Sequence, residues 1–127
     1  MNKNTKTIPL GFVVTVALSA PAMAGQPISN SMAECSAIYA ASSVWVTTPA
    51  KVARLEMASG RWAEAALAQA HAEGRGNPAA HVDRVRAEKS AEWIEKGVQV
   101  VYSDDFRDWM GYCRSLARNR GLVIDPG

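Results

Sequence analysis

Ser103-Asp104-Asp105-Phe106-Arg107-Asp108-Trp109-Met110-Gly111-Tyr112-Cys113-Arg114-Ser115-Leu116-Ala117-Arg118-Asn119-Arg120-Gly121 contains every signal that a helix needs to start, bury one face and stop. Ser103 suits an N-cap, and Asp104 and Asp105 put negative charge where the helix dipole favours it. Phe106, Trp109, Met110, Cys113, Leu116 and Ala117 recur at helical spacing and form one apolar stripe. Arg118 and Arg120 suit the C-terminal turn, and Gly121 ends it. Cys113 lies on the stripe, so a disulfide made from it would sit in a core rather than across a surface loop.

Working upstream, the rest of the chain also reads as helix, because it is rich in Ala and poor in β-branched runs. Pro78 opens a helix in which Val82, Val85, Lys89, Trp93, Gly97 and Val101 share a stripe, with the Lys89 methylenes lying along the core. Val98 to Tyr102 has strand propensity, but no second strand is visible to pair with it, so the helix is expected to continue past Gly97 and fray near Tyr102. Gly74-Arg75-Gly76-Asn77-Pro78 combines a glycine stop, an Asn cap and a proline start, which marks a boundary. Before it, Thr48 and Pro49 open a helix running to about Glu73, with Val52, Leu55, Trp62, Ala66 and Ala70 along one face. Gly60 interrupts that helix at a cost of about 1 kcal/mol relative to Ala, which suggests a bend or a close helix contact. Ser31-Met32-Ala33-Glu34 matches a capping box, and Cys35, Ile38, Tyr39, Ser42 and Val46 continue it as a helix over about Met32 to Val46.

The N-terminus is of a different kind. Lys3 and Lys6 form a basic region, Phe12 to Leu18 an apolar centre, and Ala22-Met23-Ala24 follows the helix-breaking Pro21. This is the pattern of a cleaved signal peptide over residues 1–24, leaving one helical domain over 25–127. The domain is expected to be periplasmic or secreted, with no transmembrane segment. The whole chain has 14 Lys plus Arg against 12 Asp plus Glu, but Lys3 and Lys6 leave with the signal. The remaining domain is neutral, so nucleic acid is not an expected partner.

Cys35 and Cys113 are the only cysteines. An even count in an exported chain favours a disulfide, and their separation fits no zinc ribbon, redox pair or haem attachment. Both lie on apolar stripes, so the bond would staple the first helix to the last. The expected fold is all-α: a small antiparallel four-helix bundle behind a signal peptide, held by one disulfide. Trp45, Trp62, Trp93 and Trp109 then place one large aromatic on each helix, as core fillers with their indole donors directed to a partner or to water.

Few residues suggest chemistry. His71, Glu73, His81 and Asp83 flank one loop and form the only cluster that could bind a metal, yet no two His have the spacing that would put them on one helix face. Each is also an ordinary helix-end residue, so no metal and no cofactor is expected. No phosphate loop, nucleophile elbow or His-Glu-x-x-His motif occurs, and an enzyme is not expected. Arg107, Arg114 and Arg118 lie near one stripe of the last helix, with Arg120 just beyond. Their ordinary reading is a solvated face, and their functional reading is a docking surface for an acidic partner or an anionic headgroup. Leu122, Val123 and Ile124 are expected to fold back onto the bundle.

The signal resembles that of a Gram-negative periplasmic protein, and the helix pattern is similar in outline to exported four-helix bundles of the cytochrome type. The Cys-x-x-Cys-His motif of attached haem is absent, so the resemblance carries over no site residue. The reading is an exported, non-enzymatic interaction protein of accessory or inhibitor type with a protein partner in the periplasm. The alternative is a small-ligand or metal-binding bundle.

Overall fold

The computed structural model describes residues 26–125 and is all-helical across them. The signal peptide expected over residues 1–24 lies outside the described residues. The elements are α1 (Ile28–Val44), α2 (Pro49–Ala72), α3 (Pro78–Lys96), a 3-10 turn (Val98–Tyr102) and α4 (Asp104–Arg120). None of these helices is long and apolar enough to cross a membrane. Contacts between residues give their directions. The start of α1 meets the end of α2, where Ser29 bonds Glu73, so these two run antiparallel. Asn30 of α1 meets His81 at the start of α3, so α1 and α3 run parallel. Phe106 at the start of α4 packs on Trp45 and Trp93, which lie at the opposite end of the bundle. Neighbours in sequence therefore alternate in direction, as short connections require.

α1 is the centre of the molecule. Ser29, Ser31, Met32, Ala33, Cys35, Ser36, Ala37, Ile38, Tyr39 and Ala41 are all buried, so it has no wholly solvated face. It packs most extensively on α2, next on α3, and over a shorter stretch on α4. Small side chains let these backbones come close. Ser36 Oγ donates to the Ser59 carbonyl at 2.7 Å, and Ser59 Oγ donates to the Ser36 carbonyl at 2.8 Å. Arg86 of α3 adds a third strand to the knot, its Nε donating to Ser36 Oγ at 2.8 Å. One buried serine thus ties three helices together with its hydrogen-bonding capacity satisfied.

Cys35 and Cys113 are joined, with their Cα atoms 5.7 Å apart across a sequence separation of 78. Closing a loop of that length stabilises the folded chain by on the order of 4 kcal/mol. Both half-cystines are wholly buried, so the staple runs through the core. Trp62 is the largest wholly buried side chain, and its indole Nε1 has no hydrogen-bond partner among the described protein groups. Trp93 is also buried, and packs edge-on against Phe106 at 5.5 Å. Trp45 sits at the C-cap of α1 rather than within the helix, half-buried against Phe106.

Several helix ends follow the expected rules. Ser103 Oγ accepts from the Phe106 amide at 3.1 Å and caps α4. At Gly121 (φ 67°) the Leu122 amide bonds the Ala117 carbonyl at 2.8 Å, which is a Schellman ending. Gly74 ends α2 in the same way, with the Arg75 amide on the Ala70 carbonyl. Thr48 and Asn77 occupy their N-cap positions but make no side-chain cap bond. Lys89 is half-buried on the α1–α3 seam, 4.0 Å from Glu34. The tail folds back in part: Leu122 and Ile124 pack on the core, while Val123 is exposed and its carbonyl accepts from Arg61 at 2.6 Å.

Three local expectations are corrected. The capping box at Ser31 and Glu34 does not form, because α1 begins earlier, at Ile28, and Ser31 lies buried inside it. Gln26 Nε2 bonds both side chains instead, at 3.2 and 2.6 Å. The helix after Pro78 does not continue past Gly97, whose φ of 89° is a conformation that ends α3 and starts the 3-10 turn. Of the two readings of Gly60, a bend or a close helix contact, the contact is the one overturned: the residue is exposed, and a Cβ built there meets nothing within 4 Å. Gly60→Ala is therefore expected to stabilise the protein by about 0.5–1 kcal/mol, measured by urea denaturation. A loss of stability would show that the glycine is needed after all.

Candidate functional site

The four residues that could have held a metal are each engaged in holding the fold or stand apart in solvent. Glu73, just past α2, lies against the first turn of α1, where Pro27 at the N-cap supplies no side-chain cap. Its Oε1 accepts from Ser29 Oγ at 2.6 Å and from Arg75 Nε at 3.1 Å. Its Oε2 accepts from the Ser29 amide at 3.1 Å and from Gln69 at 3.0 Å. The carboxylate thus caps α1 from another helix and meets the positive end of its dipole.

His81 is tied on both ring nitrogens. Arg84 donates to Nδ1 at 3.1 Å, which leaves Nε2–H to donate to Asn30 Oδ1. This is the neutral ring, and partial burial together with the charges of Arg75 and Arg84 lowers its pKa. His71 is exposed in the last turn of α2, and Asp83 is exposed beside Arg86 at 3.9 Å. Among the described residues, no group of three or more His, Cys, Asp and Glu is placed to hold a metal ion.

The arginines of α4 lead to a different site. Arg107, Arg114, Arg118 and Arg120 are all exposed, but their surroundings differ. Arg107 pairs with Asp104 at 3.0 Å, Arg118 bonds Ser115 at 3.2 Å, and Arg120 reaches Gln69 of α2 at 3.4 Å. Arg114 lines a cleft of about 370 Å³ between α1, α2, α4 and the C-terminal tail. Tyr39, Leu55, Ala58 and Met110 make its apolar surface, and Lys51 and Arg54 of α2 bring two more cations to it. Ile124 and Asp125 of the tail complete the wall.

Sequence periodicity missed Lys51 and Arg54. They stand one turn apart near the start of α2, and nothing in α2 alone says that α4 will lie beside them. The cleft combines cations from two helices with partly exposed apolar surface. Burial raises the Tyr39 hydroxyl above its usual pKa, with Arg114 opposing and Asp125 reinforcing the shift, so Tyr39 stays a neutral phenol at physiological pH. Such a site can attract an anionic group and accept an apolar one beside it.

The Glu73 cap makes a pH-dependent contribution. Desolvation pushes its pKa upward, but the bonds from Ser29, Gln69 and Arg75 outweigh it and lower the value from 4.5 to about 2. A depressed folded-state pKa means that the stabilisation is complete above the unfolded value and is lost as pH falls from 4.5 towards 2. Glu73→Gln is expected to cost about 1–2 kcal/mol at neutral pH, after allowing for solvent screening, and to flatten the acid limb of the stability curve. Urea melts of both proteins across that range check this, and parallel acid limbs would contradict it. In comparisons across the whole chain, no protein-family model, no curated protein and no solved structure matches it.

Proposed function

We propose that this chain is an exported, non-enzymatic interaction protein that docks an acidic partner in the periplasm through the basic face of α2 and α4. The observation that carries the reading is the convergence of Lys51, Arg54 and Arg114, from two helices, on one apolar cleft. Arginine suits such a face, since its planar fork gives several donors to a carboxylate and it is enriched at interfaces. Arg107 and Arg118 extend the basic stripe along α4 on either side of Arg114. The signal-like pattern of residues 1–24 and the Cys35–Cys113 disulfide support an oxidising compartment.

A second reading, a small-ligand-binding bundle, is favoured by the volume of the cleft, which lies within the range of ligand pockets. Affinity capture from a periplasmic extract tests the main reading. A protein partner should be retained by the native chain, and the double variant Arg114→Glu, Arg118→Glu should weaken its binding by more than about 1 kcal/mol with an unchanged melting temperature. Undiminished binding would place the interface elsewhere.

A further inference from the structure

We infer that the cleft recognises an acidic peptide segment that inserts one apolar side chain between flanking carboxylates; this rests on the docking role proposed for the same face. The chemistry is set by complementarity. Tyr39, Leu55, Ala58 and Met110 offer an apolar surface with room for a side chain, and Lys51, Arg54 and Arg114 outnumber the one carboxylate of the lining, Asp125, so the cleft keeps a positive excess. An apolar anchor in a desolvated pocket supplies affinity, while rim charges supply orientation and encounter rate.

Two further observations favour a peptide over a compact small molecule. The chain's own tail contributes Ile124 and Asp125, an apolar side chain followed by a carboxylate, to the cleft wall. The site thus borders a peptide segment of the kind it is inferred to bind. The basic stripe also extends past the cleft through Arg107 and Arg118, both exposed on α4, and an extended acidic segment can reach them where a small ligand cannot. Their local bonds to Asp104 and Ser115 use only part of the five guanidinium donors.

Selection of a random peptide library on the immobilised, disulfide-bonded protein tests the inference, with dodecanoate titrated in parallel. Enriched peptides should carry an aliphatic or aromatic residue flanked by Asp or Glu. Their affinity should fall about tenfold or more in Arg54→Glu and in Arg114→Glu, both exposed positions, with the melting temperature of each variant unchanged. Replacing the peptide's apolar residue by glycine, which leaves the protein untouched, should weaken the same peptides.

Acidic peptides that bind equally well without the apolar residue would overturn the anchor and leave the docking role standing. Saturable dodecanoate binding with no peptide enriched would overturn the inference and assign the cleft to a small carboxylate. Enriched peptides without acidic residues, unaffected by the charge reversals, would overturn both this inference and the docking role.

Discussion

A helix enclosed on several sides can be approached only as closely as its side chains allow, and α1 meets that constraint with serine and alanine. The reciprocal bonds between Ser36 and Ser59 require each hydroxyl to reach the other helix's backbone carbonyl. Such reach is available only to short side chains on closely packed helices. Arg86 then fixes α3 to the same serine. The Glu73 carboxylate holds the start of α1 in the same spirit, by supplying from α2 the cap that Pro27 cannot. α1, α2 and α3 are therefore joined by polar contacts at two levels along the central helix.

α4 is attached differently. Its closest backbone approaches are to α1 over a short stretch and to the 3-10 turn. The Cys35–Cys113 bond covers this thinner contact, and the Trp93–Phe106 pair closes the end of the bundle where α4 begins. The arrangement bears directly on the basic cleft. Arg114 follows Cys113 in the chain, so the covalent staple that seats α4 also positions the arginine opposite Lys51 and Arg54 of α2.

Much of this architecture was legible in the residues, and the reasons are local. Pro49, the Gly74–Pro78 segment, Ser103 and Gly121 act on their own backbone neighbourhood, so the helix ends they mark could be read directly. Cys35 and Cys113 were readable as a pair because the chain has just these two cysteines, and as a core staple because both sit on apolar stripes. What escaped reading depends on residues distant in sequence. Ser31 and Glu34 imitate a capping box, while the true cap of α1 comes from Glu73, which lies 44 residues from Ser29. The Ser36–Ser59–Arg86 knot left one usable sign, serines at core-facing positions each beside an alanine (Ala37 and Ala58), which periodicity in apolar residues does not register. At the cleft, Arg114 was identified from α4 alone, but Lys51 and Arg54 acquire meaning only once α2 and α4 are side by side. No pattern within a single helix contains that relation.

The central claim is that α1, α2 and α3 form a unit held by polar ties, to which the disulfide secures α4 and its half of the basic cleft. Amide hydrogen exchange before and after reduction of Cys35–Cys113 tests it most directly. The account predicts that reduction lowers protection selectively in α4 and the 3-10 turn, while amides around Ser36 and Ser59 keep theirs. Protection lost equally from all four helices, or retained in α4 after reduction, would contradict it.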